Sequence, residues 1–255
     1  MTNSENGAAV LTESRGNVLL ITLNRPDAMN SLTEDVLQGI SDALDELNET
    51  SSLRVGVLTG AGRGFCAGLD LKVFLEHGLP DLAFKVFPKE SKKPLIAAVE
   101  NFALAGGLEV ALMCDLIIAS EGAKLGIPEV AVGLFAGGGA LLRLPARIGY
   151  SRAMELALTG SPITAEESLA CGLVNKVVPA GSTAEEAMKL AERIAQNAPF
   201  GLAASKQIMR AGMEMPEADF WEYQSQIWER LMTTSDAQEG PRAFAEKRKP
   251  VWTGV

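Results

Sequence analysis

The strongest constraint on the fold is a repeated order of short apolar runs, glycine-containing turns and helical segments in the first half of the chain. Each run has the length of a strand and enough aliphatic residues to be buried on both faces. The runs cover residues 18–23, 55–59, 95–99 and 116–119. Strands that alternate with helices are typical of βαβ units, so the sequence predicts an α/β fold with a mostly parallel sheet.

Two segments between these runs have helical character. Apolar residues recur at helical spacing from residue 33 to 47, and Ser31 or Thr33 can serve as the N-cap ahead of two acidic residues. A second helix is expected from about residue 108 to 114, because the preceding Gly106-Gly107 pair provides a turn after the third strand.

The chain becomes mainly helical after residue 150. Thr164 and Glu167 have the spacing of a capping box, and a short extended piece is expected at 174–178. Further helices are expected at residues 184–196, 202–213 and 217–232. We therefore predict an α/β core over residues 1–195 and a helical region over 196–255.

Charge and composition disfavour several classes of function. The chain carries 23 basic and 32 acidic residues, a net charge of −9, which disfavours a general nucleic-acid or membrane-surface role. It has no apolar run long enough to cross a bilayer, and residues 1–7 do not look like a signal or transit peptide. A cytoplasmic location is the expectation.

The three cysteines indicate a reduced compartment and no zinc site. Cys66, Cys114 and Cys171 are odd in number and lack paired spacing, so they are expected to pack as small hydrophobic side chains. Cys66 lies in a glycine-rich stretch and is a weak candidate for a nucleophile. No local base accompanies it, and the chain has a single histidine, His77.

Two glycine-containing segments are candidates for an oxyanion site. Residues 65–70 and 104–109 place glycines where the chain must turn and where backbone N–H groups can stay free. Two such groups can bind one oxyanion, and Gly106 would open a helix whose dipole favours negative charge. The alternative is that the glycines only allow close packing or a helix cap.

Two glutamates stand in apolar surroundings. Glu109 lies one turn into an otherwise apolar helix, and Glu129 follows Pro128 and precedes a run of glycines at 137–139. A charge in such a place is costly unless it has a partner or a role, so the pair is a candidate for opposed general acid and general base. The competing interpretation is that each one caps a helix or fixes a loop.

Three regions together resemble the signatures of the crotonase, or enoyl-CoA hydratase/isomerase, family in order and spacing. They are residues 65–71, residues 101–115 and residues 125–144, the last reading LGIPEVAVGLFAGGGALLRL. The segments at 23–30, 158–179 and 244–248 also look like the early, middle and late parts of the family. The end of the chain is similar to that of carnitinyl-CoA dehydratases.

The resemblance implies an activity and a set of residues. It implies hydration of an enoyl-CoA thioester, with the amides of Leu69 and Gly106 as the oxyanion hole, Glu109 and Glu129 as the catalytic acids, and Gly137 beside the catalytic water. It also implies contacts to coenzyme A from residues in two parts of the chain: Arg25, Ala28, Ala67, Leu69, Asp70, Leu71, Phe244 and Lys247. Coenzyme A would enter as part of the substrate, with no tightly bound cofactor.

The same resemblance implies a fold and an assembly. It predicts a spiral of βαβ units followed by a helical C-terminal region that mediates oligomerisation as a homotrimer or a dimer of trimers. The aromatic residues Trp221, Tyr223 and Trp228 fit either a subunit contact or a core.

Departures from the family pattern leave the substrate open. Ala136 and residues 140–142 replace the proline and the Thr-Gln pair of many family hydratases, and the segment at 72–90, which includes His77, falls where the family lines its acyl pocket. The alternatives are a carnitinyl-CoA dehydratase, a double-bond isomerase or a non-catalytic thioester-binding protein. The presence of both glutamates favours hydration over isomerisation.

Overall fold

The computed structural model describes residues 7–254. Residues 1–6, which form most of the polar start of the chain, lie outside the described part. The described residues form nine strands: β1 (Val10–Arg15), β2 (Val18–Leu23), β3 (Val55–Gly60), β4 (Leu95–Val99), β5 (Phe102–Leu104), β6 (Leu116–Ser120), β7 (Lys124–Gly126), β8 (Ile163–Thr164) and β9 (Lys176–Val178).

Eleven α-helices occur in the same part of the chain: α1 (Glu34–Glu49), α2 (Leu71–His77), α3 (Ala83–Val86), α4 (Gly106–Leu112), α5 (Ala140–Ile148), α6 (Tyr150–Thr159), α7 (Ala165–Ala170), α8 (Thr183–Ala195), α9 (Pro199–Ala211), α10 (Glu217–Met232) and α11 (Ser235–Ala245). Two short 3-10 helices cover Pro26–Ala28 and Pro128–Val132.

The main sheet has six strands in the order β1-β2-β3-β4-β6-β9, and every pair except β1 with β2 is parallel. The prediction of a mostly parallel α/β fold is therefore confirmed. Strand β1 was not predicted from the sequence. Four of its six residues are exposed, so this edge strand lacks the apolar run that marks its neighbours.

A small second sheet, in the order β5-β7-β8, positions the functional region. Strand β5 pairs in parallel with β7, and Leu104 lies opposite Gly126. The chain passes from β5 into α4 and from β7 into the 3-10 helix Pro128–Val132. This pairing brings the start of α4, which carries Glu109, next to the segment that carries Glu129.

The helix predictions agree with the structure except at some ends. Helix α4 begins at Gly106, two residues before the predicted start, so the glycine pair belongs to the helix. Thr33 is the N-cap of α1 by backbone geometry, but its side chain makes no capping hydrogen bond. The capping box of α7 is confirmed, with hydrogen bonds in both directions between Thr164 and Glu167.

Apolar side chains pack on both faces of the sheet. On one face, alternate residues of the parallel strands pack against α8 through Ala187, Met188, Ala191 and Ala195. On the other face, a larger core includes the buried stripe of α1 and most of α4. Burial on both faces explains why the central strands appear in the sequence as uninterrupted apolar runs.

The helices after residue 198 are attached to the core by polar contacts. Lys206 of α9, whose side chain is 9% exposed, donates to Asp115 Oδ2 at 2.7 Å. Asp115 Oδ2 also accepts from the Leu95 amide at 2.8 Å, which connects α9 to the start of β4. Trp221 and Trp228 of α10 are exposed in the single chain, so a core role is excluded for both.

No helix among the described residues is long and apolar enough to cross a membrane. A cavity of about 570 Å³ lies between α9, α10 and residues 90–92. It does not include either glutamate of the candidate site.

The packing of α1 gives a direct test of the fold. We expect Leu44→Ala, which truncates a side chain that is only 2% exposed, to lower the free energy of unfolding by about 2–5 kcal/mol through lost burial and a residual cavity. The matched control Gln38→Ala changes an exposed position of the same helix and should stay within about 0.5 kcal/mol. Denaturant unfolding measures both, and equal effects would contradict the burial of this face.

Candidate active site

The turn before α4 leaves the Gly106 amide free. Ala105 has φ 51° and ψ −130°, a conformation that costs a non-glycine residue about 1–3 kcal/mol. The turn is held by the Ala105 amide, which donates to the Gly126 carbonyl of β7 at 2.9 Å. Gly106 is the first helical residue, so its N–H group has no partner within the helix.

The Leu69 amide lies beside it. Residue 69 is held by a parallel bridge to Leu32, in which the Leu32 amide donates to the Gly68 carbonyl at 2.7 Å and the Asp70 amide donates to the Leu32 carbonyl at 3.0 Å. A Cβ atom on Gly106 would lie 3.7 Å from the Leu69 nitrogen. Neither amide donates to another described residue, so two neighbouring N–H groups are available to one oxygen atom.

Gly68 is required by this close approach. Its φ is 99°, and a Cβ atom there would lie 2.9 Å from the Leu104 carbonyl oxygen and 3.2 Å from the Gly106 nitrogen. The prediction that glycines sit where the chain must turn holds at this position. A side chain here would both strain the backbone and obstruct the pair of amides.

Glu109 is a buried carboxylate with a backbone partner. The residue is 3% exposed, and its Oε1 accepts from the Ala140 amide, the first of α5, at 3.1 Å. A Cβ atom on Gly138 would lie 2.6 Å from Oε2, so only glycine leaves room for the carboxylate. Burial raises the pKa of Glu109, and the amides of Ala140 and Gly138 and the charge of Arg143 oppose that rise.

Glu129 differs from Glu109 in its partners. It is partly buried, and its Oε2 atom is fully buried without a hydrogen bond to any described residue. Burial raises its pKa to about 7, and the nearby charge of Glu109 contributes in the same direction. Burial thus raises the pKa of both carboxyls, but among the described residues only Glu109 accepts a hydrogen bond from the backbone of another residue that favours its ionised form. That arrangement can donate one proton and accept another.

The residues predicted to contact coenzyme A near the start of the chain are brought together. Arg25 donates to Asp70 Oδ2 at 3.3 Å and to the Ser31 carbonyl at 2.7 Å. The Ala67 amide donates to the Met29 carbonyl at 3.1 Å. Ala28, Leu69 and Leu71 lie on the segments joined in this way.

The Asp70 carboxylate accepts hydrogen bonds from three groups that favour its ionised form. Burial acts to raise its pKa, but hydrogen bonds from the Ser31 hydroxyl, the Val73 amide and Arg25 outweigh burial and lower it. Because Asp70 also caps α2, it fixes both the Leu69 segment and the start of that helix.

The other two predicted contacts lie elsewhere in the single chain. Phe244 is 87% exposed near the end of α11, and Lys247 follows it with φ 54°. Within the described residues, no hydrogen bond or ion pair joins either side chain to the segments at 25–31 or 67–71. Arg248, the middle residue of the basic run at 247–249, is paired with Glu239 at 2.6 Å, which reduces the free charge of that run.

Two weaker candidates for the site, Cys66 and His77, are not in a catalytic arrangement. Burial raises the pKa of the Cys66 thiol to about 12, which disfavours a thiolate nucleophile. His77 ends α2 with its side chain exposed and contacts Glu76. No group of three potential metal ligands from His, Cys, Asp and Glu occurs within residues 7–254.

Asn30 falls in the segment at 23–30 that resembles the family, but its structural role was not predicted, and Arg143 was missed. Asn30 is 1% exposed, and its side-chain amide donates to the carbonyls of Ala61 and Gly64, each at 2.9 Å. Arg143 donates to the carbonyls of Gly138 and Phe87. The only signal for Arg143 was a basic residue four positions after the glycine run. A Cβ atom on Gly137 would lie 3.8 Å from the Phe135 ring. The predicted place of Gly137 beside a water stays a prediction.

Comparison with known proteins defines the class of the protein. The sequence model of the family described as Enoyl-CoA hydratase/isomerase matches residues 13–255. The chain therefore belongs to this family, which confirms the resemblance found in the sequence.

Individual relatives match over nearly the whole chain. Enoyl-CoA hydratase EchA19 of Mycobacterium tuberculosis is 39% identical over 98% of both chains. Carnitinyl-CoA dehydratase of Proteus mirabilis is 38% identical over 94% of this chain and 97% of its own. The crystal structure of enoyl-CoA hydratase EchA1 of Mycobacterium marinum has a TM-score of 0.94 and 46% identity, covering 98% of this chain and all of that one. The expected crotonase-like fold is thereby confirmed.

The raised pKa of Glu129 predicts a stability effect that depends on pH. The pKa of Glu129 is about 7 in the folded protein and near 4.5 in the unfolded chain, so the folded state favours the protonated carboxyl. The protein therefore loses stability as pH rises between those two values. Glu129→Gln removes that loss, so we expect the variant to be more stable than wild type by about 2 kcal/mol at pH 8, after allowance for solvent screening. At pH 4, where the native carboxyl is protonated, the two proteins should have the same stability.

Chemical unfolding of both proteins at pH 4, 6 and 8 measures this difference. Glu121→Gln, at an exposed position, is the matched control and should show no such trend. A constant difference between wild type and Glu129→Gln across this range would show that Glu129 is not desolvated in the folded protein.

Proposed function

We propose that the protein is an enoyl-CoA hydratase, which reversibly adds water across the α,β double bond of an enoyl-CoA thioester. The observation that carries the proposal is the combination of two free, neighbouring amides with two desolvated glutamates, of which one accepts a backbone hydrogen bond and the other has a buried oxygen without a partner among the described residues. The membership of the family and the names of the relatives support it. An isomerase of the same family usually needs one acid, whereas this site has two.

In the proposed reaction, the thioester carbonyl oxygen accepts hydrogen bonds from the amides of Leu69 and Gly106. These amides stabilise the enolate that forms when water attacks the β-carbon. Glu109 accepts a proton from the attacking water, and Glu129 delivers a proton to the α-carbon. The net change is addition of one water molecule, and proton exchange then returns the two carboxyl groups to their starting states. Gly137 leaves room beside the water.

Coenzyme A would enter as part of the substrate, and no tightly bound cofactor is needed. We assign contacts with its nucleotide end to two groups of residues, the first being Arg25, Ala28, Ala67, Leu69, Asp70 and Leu71, and the second Phe244 and Lys247. Since Asp70 already neutralises Arg25, backbone groups of the first segment would carry much of the recognition. The exposed Phe244 and Lys247 are suited to the site of a neighbouring subunit.

A carnitinyl-CoA dehydratase is the second candidate. The likeness to the Proteus mirabilis protein of that name supports it. Dehydration is the reverse of hydration and would use the same two glutamates and the same amides, so the acyl group of the substrate is the point of difference.

The proposed assembly is a homotrimer or a dimer of trimers in the cytoplasm. Support comes from large apolar side chains that the single chain leaves exposed on α9, on α10 and on the turn between them: Met209, Met213, Trp221, Trp228 and Met232. The core at 1–195 would hold the thioester site, and the helices at 196–255 would make subunit contacts.

The roles of the two glutamates predict the outcome of isosteric substitution. We expect wild-type protein to reduce the enoyl-thioester absorbance of crotonyl-CoA, and Glu109→Gln and Glu129→Gln each to be slower by about two or more orders of magnitude, since each lacks a general acid or base. The exposed control Glu121→Gln should keep wild-type activity. Circular dichroism and coenzyme A binding establish that each variant is folded.

The same assay on short-chain, medium-chain and carnitine-derived thioesters separates the two candidates. Turnover of only the carnitine-derived thioester would favour the dehydratase. If folded wild-type protein binds coenzyme A but neither hydrates nor dehydrates any of these thioesters, the proposed activity is wrong and a binding role remains.

The pKa of Glu129 also predicts the pH dependence of hydration. Because Glu129 must be protonated to deliver a proton, kcat/KM for hydration should fall about tenfold per pH unit above an apparent pKa of about 7. The residual activity of Glu129→Gln should lack this basic limb. A wild-type profile that stays flat from pH 6 to 9 would remove Glu129 from the role of proton donor.

A further inference from the structure

Arg143 makes an unusual set of contacts on the first turn of α5. Its Nη1 donates to the Gly138 carbonyl at 3.0 Å, and its Nη2 donates to the Phe87 carbonyl at 2.6 Å. A Cβ atom on Gly139 would lie 2.5 Å from Nη1, so the guanidinium fits against the glycine turn only because residue 139 has no side chain. The arginine thus joins the turn at 138–140 to the end of the segment at 83–87.

This turn is also the one that holds Glu109. The Ala140 amide donates to Glu109 Oε1, and the Gly138 Cα faces Oε2 so closely that no side chain fits there. The ring of Phe87 packs on the same Gly138, 2.8 Å from where its Cβ would lie. A shift of the turn would therefore change the hydrogen bond to Glu109 and the contact with Phe87 together.

The charge of Arg143 is not used by an ion pair within the part of the chain that the structure describes. Its half-buried guanidinium donates to two carbonyl groups, while nearby Arg210 is paired with Glu90 at 2.6 Å. The ionisable groups that act on Arg143 most strongly are Arg210, Glu109, Glu90 and the Cys114 thiol. A partly desolvated cation next to a buried carboxylate stabilises the ionised form of that carboxylate.

We propose that Arg143 is a positioning residue for the reaction: it holds the 138–140 turn so that the Ala140 amide stays on Glu109, and it places a positive charge near that carboxylate. The inference rests on the proposed function, in which Glu109 must be ionised to activate water. The charged groups that act on Glu109 are Arg143 of α5, which favours its ionised form, and Glu129 of the 3-10 helix, which opposes it.

Three variants test the proposal. Arg143→Gln removes the charge and shortens the side chain, whereas Arg143→Lys keeps the charge but cannot donate to two carbonyls in the same planar geometry. Arg147→Gln is the matched control. Arg147 lies one turn later on α5 and also donates to carbonyls, those of Leu112 and Cys114, but it makes no contact with the glycine turn.

For hydration of crotonyl-CoA, we expect Arg143→Gln to lower kcat roughly 10- to 100-fold through misplacement of Glu109. The acidic limb of its kcat–pH profile should shift to higher pH by about one unit, because the positive charge that favours ionisation of Glu109 has been removed. Arg143→Lys should have its acidic limb at the same pH as wild type but a lower kcat. Arg147→Gln should leave the limb in place, even if the protein is less stable.

A second measurement does not need turnover. Infrared pH-difference titration follows the protonated carboxyl band of Glu109, which is assigned by its loss in Glu109→Gln. The band should titrate at higher pH in Arg143→Gln than in wild type and be unmoved in Arg147→Gln.

The outcomes separate the two proposals. If the band shifts in Arg143→Gln while wild-type protein turns over no thioester, the role of Arg143 is retained and the proposed activity is rejected. A lower kcat with neither the limb nor the band moved would overturn the inference, since Arg143 would then only support the local fold.

Discussion

The arrangement of the site depends on the burial of one carboxylate. Glu109 lies in an apolar helix at 3% exposure, and an ionised carboxylate there is unfavourable unless donors and positive charge surround it. The Ala140 amide, the absence of a side chain at Gly138 and the charge of Arg143 all meet this requirement. The glycine run at 137–139 is thus part of the environment of the carboxylate and not only a flexible connection between helices.

Backbone geometry provides the second half of the site. The left-handed conformation of Ala105 and the close approach of Gly68 to residues 104–106 bring two amides together without using any side chain for the purpose. The pairing of β5 with β7 holds this turn and also sets the position of Glu129. This small sheet therefore fixes the Gly106 amide and the relative placement of the two segments that carry the acids, while the bridge between Leu32 and Leu69 holds the second amide.

The segment predicted to recognise coenzyme A is organised by buried polar groups. Asn30 and Ser31 connect the 3-10 helix after β2 to the loop that follows β3, and the Arg25–Asp70 pair strengthens the connection. Such a network fixes a binding surface through hydrogen bonds to the backbone, and its charged members largely neutralise one another. The surface at residues 25–31 and 67–71 is consequently preformed, whereas Phe244 and Lys247 stand apart from it.

The sequence by itself determined the order of strands and helices, the capping box of α7, the need for glycine at the turns and the presence of two acids in apolar surroundings. These features follow from side-chain periodicity, local backbone conformation and composition, which act over a few residues. It did not predict the mostly exposed strand β1, the side-chain contacts of Asn30, or the part of Arg143 in the environment of Glu109. Only the tertiary structure brought residue 109 to residue 140, joined Arg25 to Asp70 and gave Glu109 a hydrogen-bond partner that Glu129 Oε2 lacks among the described residues. Those relations join segments that are distant in the chain, and they depend on how the sheets and helices pack, which no local pattern encodes.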